Sequence, residues 1–314
     1  MQWADAVFPA YSIIIFTTLS GIGFGLMAMI GLGIGGSGPH PLVGPALAFG
    51  LAAAGLISSL FHLGHPERTL RALSQWRSSW MSREGVLALA TFIAFAVHMA
   101  IIMYGGGRGV ASGLIVAVLA LSTVYATAMI YASLATVAQW KTPLTPLVYV
   151  AFSLAGALLA SAALSEAGLA PSLPVVLAAM AMLVIAWALK MAWWRRAATV
   201  RSVSTPQSAT GLGEFGAVRL LERPHWQENY LTREMGYRVA RKHAAKLRKI
   251  AVFAGAAMPL AALFFAFAAP FSPVTAGLLA FGFVAHLFGV LVERWLFFAE
   301  AKHTVMLYYG AATA

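Results

Sequence analysis

The sequence has no cysteine among its 314 residues. That excludes disulfides, cysteine-ligated zinc and cysteine-held iron–sulfur clusters from this chain, and leaves its redox compartment open. Charge is also scarce: 10% of residues are charged, against roughly 25% in a soluble domain. Acids are the scarcer sign, with 10 Asp and Glu beside 21 Lys and Arg. The long apolar runs lack the polar–apolar alternation of barrel strands, and no segment repeats internally. These absences exclude a soluble enzyme, a disordered tail and a transmembrane β-barrel. A net charge of +11 invites a nucleic-acid reading, but in so apolar a chain it points instead to basic cytoplasmic loops.

What remains is apolar: 61% of residues are hydrophobic and the mean hydropathy is +0.81. A membrane span needs about 20 consecutive apolar residues. Eight runs qualify, over about 10–34, 42–62, 85–104, 109–138, 144–165, 172–194, 249–269 and 274–298. The expected fold is all-α, a polytopic membrane protein of eight transmembrane helices, with 1–314 forming a single integral membrane domain. The first run lacks a basic leader and a clear small-residue cleavage site, so it is expected to be a retained helix. With eight alternating spans, twenty of the 21 basic residues fall on one side and Arg108 alone on the other. The positive-inside rule then puts both termini in the cytoplasm.

The stretch 195–247 is the one sizeable polar piece, too short for a core of its own. Its last part, Asn229 to Lys249, predicts a helix, with Leu231, Met235 and Val239 on one face. A solvated or headgroup-lying helix is the plain reading, and a docking platform for a cytoplasmic partner is the sharper one. Gly211-Leu-Gly-Glu-Phe-Gly216 matches a dinucleotide fingerprint, but no strand precedes it, so it reads as a turn. The glycines of the first span, Gly21, Gly23, Gly25, Gly31, Gly33 and Gly35, read as close helix packing. Pro259 predicts a kink in the seventh span.

The connection between the second and third spans carries the most chemistry. It runs Phe61-His-Leu-Gly-His-Pro-Glu-Arg68 and then Gln75-Trp-Arg-Ser-Ser-Trp-Met-Ser-Arg-Glu84. His62 ends one helix and Glu84 opens the next, so the two share a depth at the membrane boundary. Ionisable groups there are costly unless paired or wet, and often mark a site. Histidine titrates near neutral pH, and a carboxylate beside it completes a proton-handling pair for a redox ligand. Trp76 and Trp80 offer an apolar wall. Plainer roles are open to each: Glu84 complementing a helix dipole, the arginines meeting lipid phosphates, the tryptophans anchoring at the interface. His98 and His286 sit in spans at different depths, which favours hydrogen-bonded bundle histidines over a pair of haem ligands. No metal-ligand spacing is present.

These two blocks resemble the membrane anchor subunit of the dimethyl sulfoxide reductase family. The resemblance extends to Phe16-Thr-Thr-Leu-Ser-Gly-Ile-Gly-Phe-Gly25, Ala209-Thr-Gly-Leu-Gly213 and Pro224-His-Trp-Gln-Glu-Asn-Tyr-Leu-Thr-Arg-Glu-Met235, and so spans most of the chain. The first and last blocks point to the branch that includes the anchor of cytoplasmic sulfite dehydrogenase. The resemblance implies a quinone-reactive anchor in a bacterial inner membrane, holding an iron–sulfur subunit and a molybdopterin catalytic subunit on the cytoplasmic side. Molybdopterin and iron–sulfur clusters would then belong to the partners, no haem to the anchor, and ubiquinone or menaquinone would be its mobile substrate. It carries the quinol-site roles to His62 and Glu84, with His65 a departure that adds a second proton carrier. The residues expected around the quinone are Tyr11, Thr17, Ser20, Trp76, Arg77, Trp80 and Arg83. Those expected to dock the partner are Pro224, His225, Trp226, Asn229, Tyr230 and Glu234. Sulfite oxidation is the favoured direction. A dimethyl sulfoxide-type reductase oxidising menaquinol and a transporter are the alternatives, the latter disfavoured by charges crowded at one boundary.

Overall fold

The computed structural model describes residues 11–34, 42–61, 71, 73–105, 109–164, 173–200, 204–222, 239–269 and 272–311. Among them are helices and turns and no strand. Eight of the described helices are long and apolar enough to cross a membrane. They are α1 Tyr11–Gly31, α2 Val43–Leu60, α3 Trp80–Tyr104 and α4 Val110–Ala132. They continue with α5 Leu144–Ala163, α6 Leu173–Thr199 and α8 Pro273–Ala299. Between these last two, α7 runs from Val239–Val252 through a π-helical turn, Phe253–Ala257, into Met258–Ala268. The eight spans expected from hydropathy are these eight.

Four boundaries differ from the hydropathy reading by five residues or more. α4 ends at Ala132 rather than near 138, and α7 begins at Val239 rather than near 249. The other two are in α3 and α6. α3 starts at Trp80 rather than near 85, because Ser79 caps it and its hydroxyl accepts the Ser82 N–H at 3.4 Å. Glu84 therefore lies in the second turn, beyond the free N–H groups that a dipole partner would meet. α6 runs on to Thr199, which places Lys190 well inside a span rather than beside a loop.

α1 and α5 are the most enclosed spans. α1 packs against α2, α4, α5 and α8; α3 packs on α4, α6 on α5, and α7 on α8. In lipid no hydrophobic force draws apolar helices together, so small residues that permit close approach set the contacts. At Gly23 a Cβ would sit 2.8 Å from the Ala52 Cα and 2.9 Å from the Ala48 carbonyl of α2. At Gly31 it would sit 2.5 Å from the Gly113 carbonyl of α4. Gly23, Gly25 and Gly31 thus do the packing work read from the sequence, whereas a Cβ at Gly21 or Gly33 would meet nothing within 4 Å and Gly35 lies outside the described residues.

α3 and α4 are joined by polar links along their length. The Thr127 hydroxyl meets the Glu84 carboxylate, Thr91 and Thr123 share a bond of 3.1 Å, and His98 Nδ1 lies 2.9 Å from the Ser112 hydroxyl. Each such link is worth on the order of 1 kcal/mol in a membrane. In α7 the expected disturbance at Pro259 takes the form of the π-helical turn just before it. Proline has no N–H for the carbonyl four residues back, here Gly255. That carbonyl instead accepts the Trp187 Nε1–H at 2.9 Å and lies 2.7 Å from His286 Nδ1. His286 is thus a hydrogen-bonded bundle histidine, as is His98.

The polar stretch after α6 has a short helix, Pro206–Thr210, closed by a capping box at Thr205, then Gly211 at φ +70°. The glycine fingerprint thus forms a turn at the end of a five-residue helix. The Tyr308 hydroxyl donates to the Ala209 carbonyl at 2.6 Å and ties the C-terminal segment to it.

Candidate functional site

The start of α3 meets the end of α4, and the end of α6 meets the turn before α5. Arg77, Arg83, Lys141, Arg195 and Arg196 lie on or beside these ends, and we call this the basic end of the bundle. Glu84 enters from it on α3, four residues past Trp80. The carboxylate is 6% exposed. Its described partner is the Thr127 hydroxyl of α4. That hydroxyl has one proton and a second acceptor in reach, the Thr123 carbonyl at 3.1 Å. It donates to an ionised Glu84, and it turns to Thr123 when Glu84 carries the proton and donates itself. The pair therefore accommodates both protonation states without moving a helix.

Thr127 also lines a small, partly enclosed cavity between α1, α4, α5 and α8. Thr17 and Ser20 of α1, Tyr149 and Ser153 of α5 and Arg294 of α8 line it too. The Thr17 and Ser20 hydroxyls donate to their own helix at Ile13 and Phe16, at 2.9 and 2.6 Å, and keep acceptor lone pairs. Two of the residues expected around a quinone thus line the same polar space as the partner of Glu84.

Among the described residues, the remaining expected ones do not line that cavity. Trp76 and Arg77 are exposed in the turn before α3, and Tyr11 is exposed at the start of α1. Arg83 donates to the Trp76 carbonyl at 2.9 Å and the Arg77 carbonyl at 2.6 Å, and lies 4.3 Å over the Trp80 ring. Its described bonds thus brace the turn. Trp80 meets Tyr125 of α4 edge-on at 6.0 Å. Gly85 lets the Leu73 side chain fold against α3. His62 and His65 lie outside the described residues. So do Pro224, His225, Trp226, Asn229, Tyr230 and Glu234.

The structure adds a group that sequence reasoning misplaces. Hydropathy sets Lys190 and Arg294 at loop margins, among the basic residues that orient the bundle. Both are buried in spans, 0% and 2% exposed, around a Glu293 that is 0% exposed. Lys190 Nζ pairs with Glu293 Oε1, and Arg294 Nη1 lies 3.2 Å from Oε2. Aromatic faces enclose the cations: Lys190 over Trp193 at 3.9 Å, Arg294 over Tyr149 at 3.5 Å. Such burial is stable only with pairing of this kind, because an isolated charge costs several kcal/mol to desolvate. A sequence signal exists: Glu293 is the single acid of its span. It is masked by the Arg next to it, which reads as a helix-end charge.

A sulfite dehydrogenase subunit from Allochromatium vinosum is 31% identical to the chain, over 96% of this chain and 98% of that protein. No solved structure matches significantly. The family model described as DMSO reductase anchor subunit (DmsC) matches residues 5–300. With eight helices fit to cross a membrane and a family model matching nearly its full length, the chain is a multi-pass membrane protein and belongs to the DMSO reductase anchor subunit family.

Proposed function

We propose that the protein is the quinone-reactive anchor of a molybdopterin oxidoreductase complex. It passes electrons between a partner iron–sulfur subunit and the quinone pool of a bacterial inner membrane, with its basic end in the cytoplasm. The observation that carries this reading is Glu84: a carboxyl buried near the basic end of α3, bonded to Thr127 beside a hydroxyl-lined cavity. A quinone must gain two protons for two electrons, and a carboxyl that tolerates both protonation states at the membrane boundary is suited to supply one. His62 and His65 are the proposed partners for the second proton, from the loop just ahead of α3. Tyr11, Trp76, Arg77, Trp80 and Arg83 form the proposed wall of the headgroup site at the basic end. Molybdenum chemistry belongs to the catalytic partner. The likeness to a sulfite dehydrogenase subunit favours electron flow from sulfite to quinone. The family description favours the reverse direction, quinol to sulfoxide, as the second reading.

Glu84→Gln tests the site. The purified complex should lose quinone-linked turnover by about a hundredfold, the usual scale for removing a general acid. Its turnover with an artificial electron acceptor should stay normal. Normal quinone-linked turnover in this variant would remove Glu84 from the site.

A further inference from the structure

The quinone reading uses Glu84 and leaves the second buried acid unexplained. Glu293 faces two cations at the same depth, five to nine residues from the basic ends of α8 and α6. With Lys190 and Arg294 it carries one net positive charge, in a setting where three ionised groups are costly. A purely structural contact would be served better by apolar residues of similar volume. The buried cluster also borders the cavity on one side and lies near a second ion pair on the other. Towards the cavity, the Tyr149 hydroxyl and Arg294 Nε have no hydrogen-bond partner among the described residues, although both side chains are buried and line that space. On its other side, the centre of the Trp194 ring lies 5.3 Å from Lys190 Nζ and 5.3 Å from the Arg248 guanidinium. Glu300 is part-exposed and holds Arg248 through both its oxygens, at 2.8 and 2.9 Å. Tyr149 in turn shares the cavity wall with Arg294 and with Thr127, the partner of Glu84.

We propose that Glu293 is a proton-relay carboxyl, positioned by Lys190 and Arg294, that resupplies Glu84 across the hydroxyl-lined cavity. The inference rests on the quinone reading and deepens it. For each quinone reduced, two electrons arrive from the partner's iron–sulfur chain and two protons are taken up. Glu84 gives one of them to a quinone oxygen: its O–H bond breaks as the quinol O–H forms. The Glu84 carboxylate then regains a proton from the acid form of Glu293, by way of the Tyr149 and Thr127 hydroxyls and water in the cavity. The Lys190 ammonium reprotonates Glu293, and water at the Glu300 margin reprotonates Lys190. Arg294 stays charged throughout and holds Glu293 in place. For quinol oxidation every step runs backwards.

Two variants of the assembled complex test the relay. K190M/E293Q removes one charge of each sign and so keeps the net charge of the cluster, with the glutamine oxygen left as an acceptor for Arg294. Tyr149→Phe removes one oxygen and keeps the ring under Arg294. In each, quinone-linked turnover should fall about tenfold or more, the scale of a lost proton transfer. Turnover with an artificial electron acceptor should be unchanged, and the solvent deuterium isotope effect on the quinone-linked rate should rise as proton delivery becomes limiting. A quinone-linked rate within about twofold of the unsubstituted complex overturns the relay, as does a fall with an unchanged isotope effect. Tyr149→Phe decides the matter by itself if the double variant does not assemble. Failure of the quinone reading shows differently: the unsubstituted complex would then have no quinone-linked turnover at all.

Discussion

At the scale of single residues, the Thr127 hydroxyl decides how Glu84 can act. Its one proton serves either the carboxylate or the Thr123 carbonyl. Thr127→Val keeps the shape and removes that choice. The loss in helix pairing is about 1 kcal/mol, too little to open an eight-helix bundle. Quinone-linked turnover should nevertheless drop by about tenfold with assembly intact, because the ionised carboxyl left after proton transfer would lack its donor. Steady-state rates on the assembled complex check this, and an unchanged rate would separate Thr127 from the chemistry. Glu84 is legible in the sequence because it opens a span and follows a histidine-bearing block in the same connection. Its partner is not. A threonine inside an apolar span carries no one-dimensional signal, and it meets Glu84 only through the antiparallel pairing of α3 with α4. Glu293 escapes for a different reason: Arg294 beside it and Lys190 on another helix read singly as margin charges, and only their convergence shows a buried cluster.

At the scale of elements, hydropathy locates all eight spans, because lipid leaves a buried backbone no alternative to helix. It does not set the ends. The Ser79 cap moves Glu84 from a helix margin into its second turn, and so from a dipole partner to a side chain facing α4. Nor does it give the form of the disturbance in α7. The carbonyl freed by Pro259 is answered by Trp187 and His286 from two other helices, a match that only the packed bundle displays. The polar connection between α6 and α7 bears the proposed docking block, residues 224–235, which lies outside the described residues. Inverted membrane vesicles carrying the complex should expose both soluble partners, and deletion of 224–235 should release them into the supernatant. Partners that remain bound after the deletion would place docking elsewhere, and partners shielded inside inverted vesicles would reverse the orientation.

At the scale of the whole molecule, the bundle is electrically lopsided. Of the twenty basic residues first counted at one end, Lys190 and Arg294 are buried in pairs with Glu293, which leaves eighteen at that end against Arg108. The asymmetry survives the correction, so the positive-inside argument for a cytoplasmic basic end still stands. The described ionisable clusters lie in that same half: Glu84 on α3, and Lys190, Glu293 and Arg294 where α6 meets α8. A transporter would set such groups around the midplane in paired half-helices. One-sided chemistry suits a protein that meets a lipid-borne carrier next to a soluble electron donor. Photolabelling tests this directly. A photoreactive quinone analogue bound to the purified complex should mark α1 around Thr17–Ser20 and the start of α3 around Glu84, with excess natural quinone suppressing the label. Suppressible label confined to the apolar groove that Phe253 and Met258 of α7 form with Phe281 and Phe288 of α8, or to the soluble partners, would contradict the account.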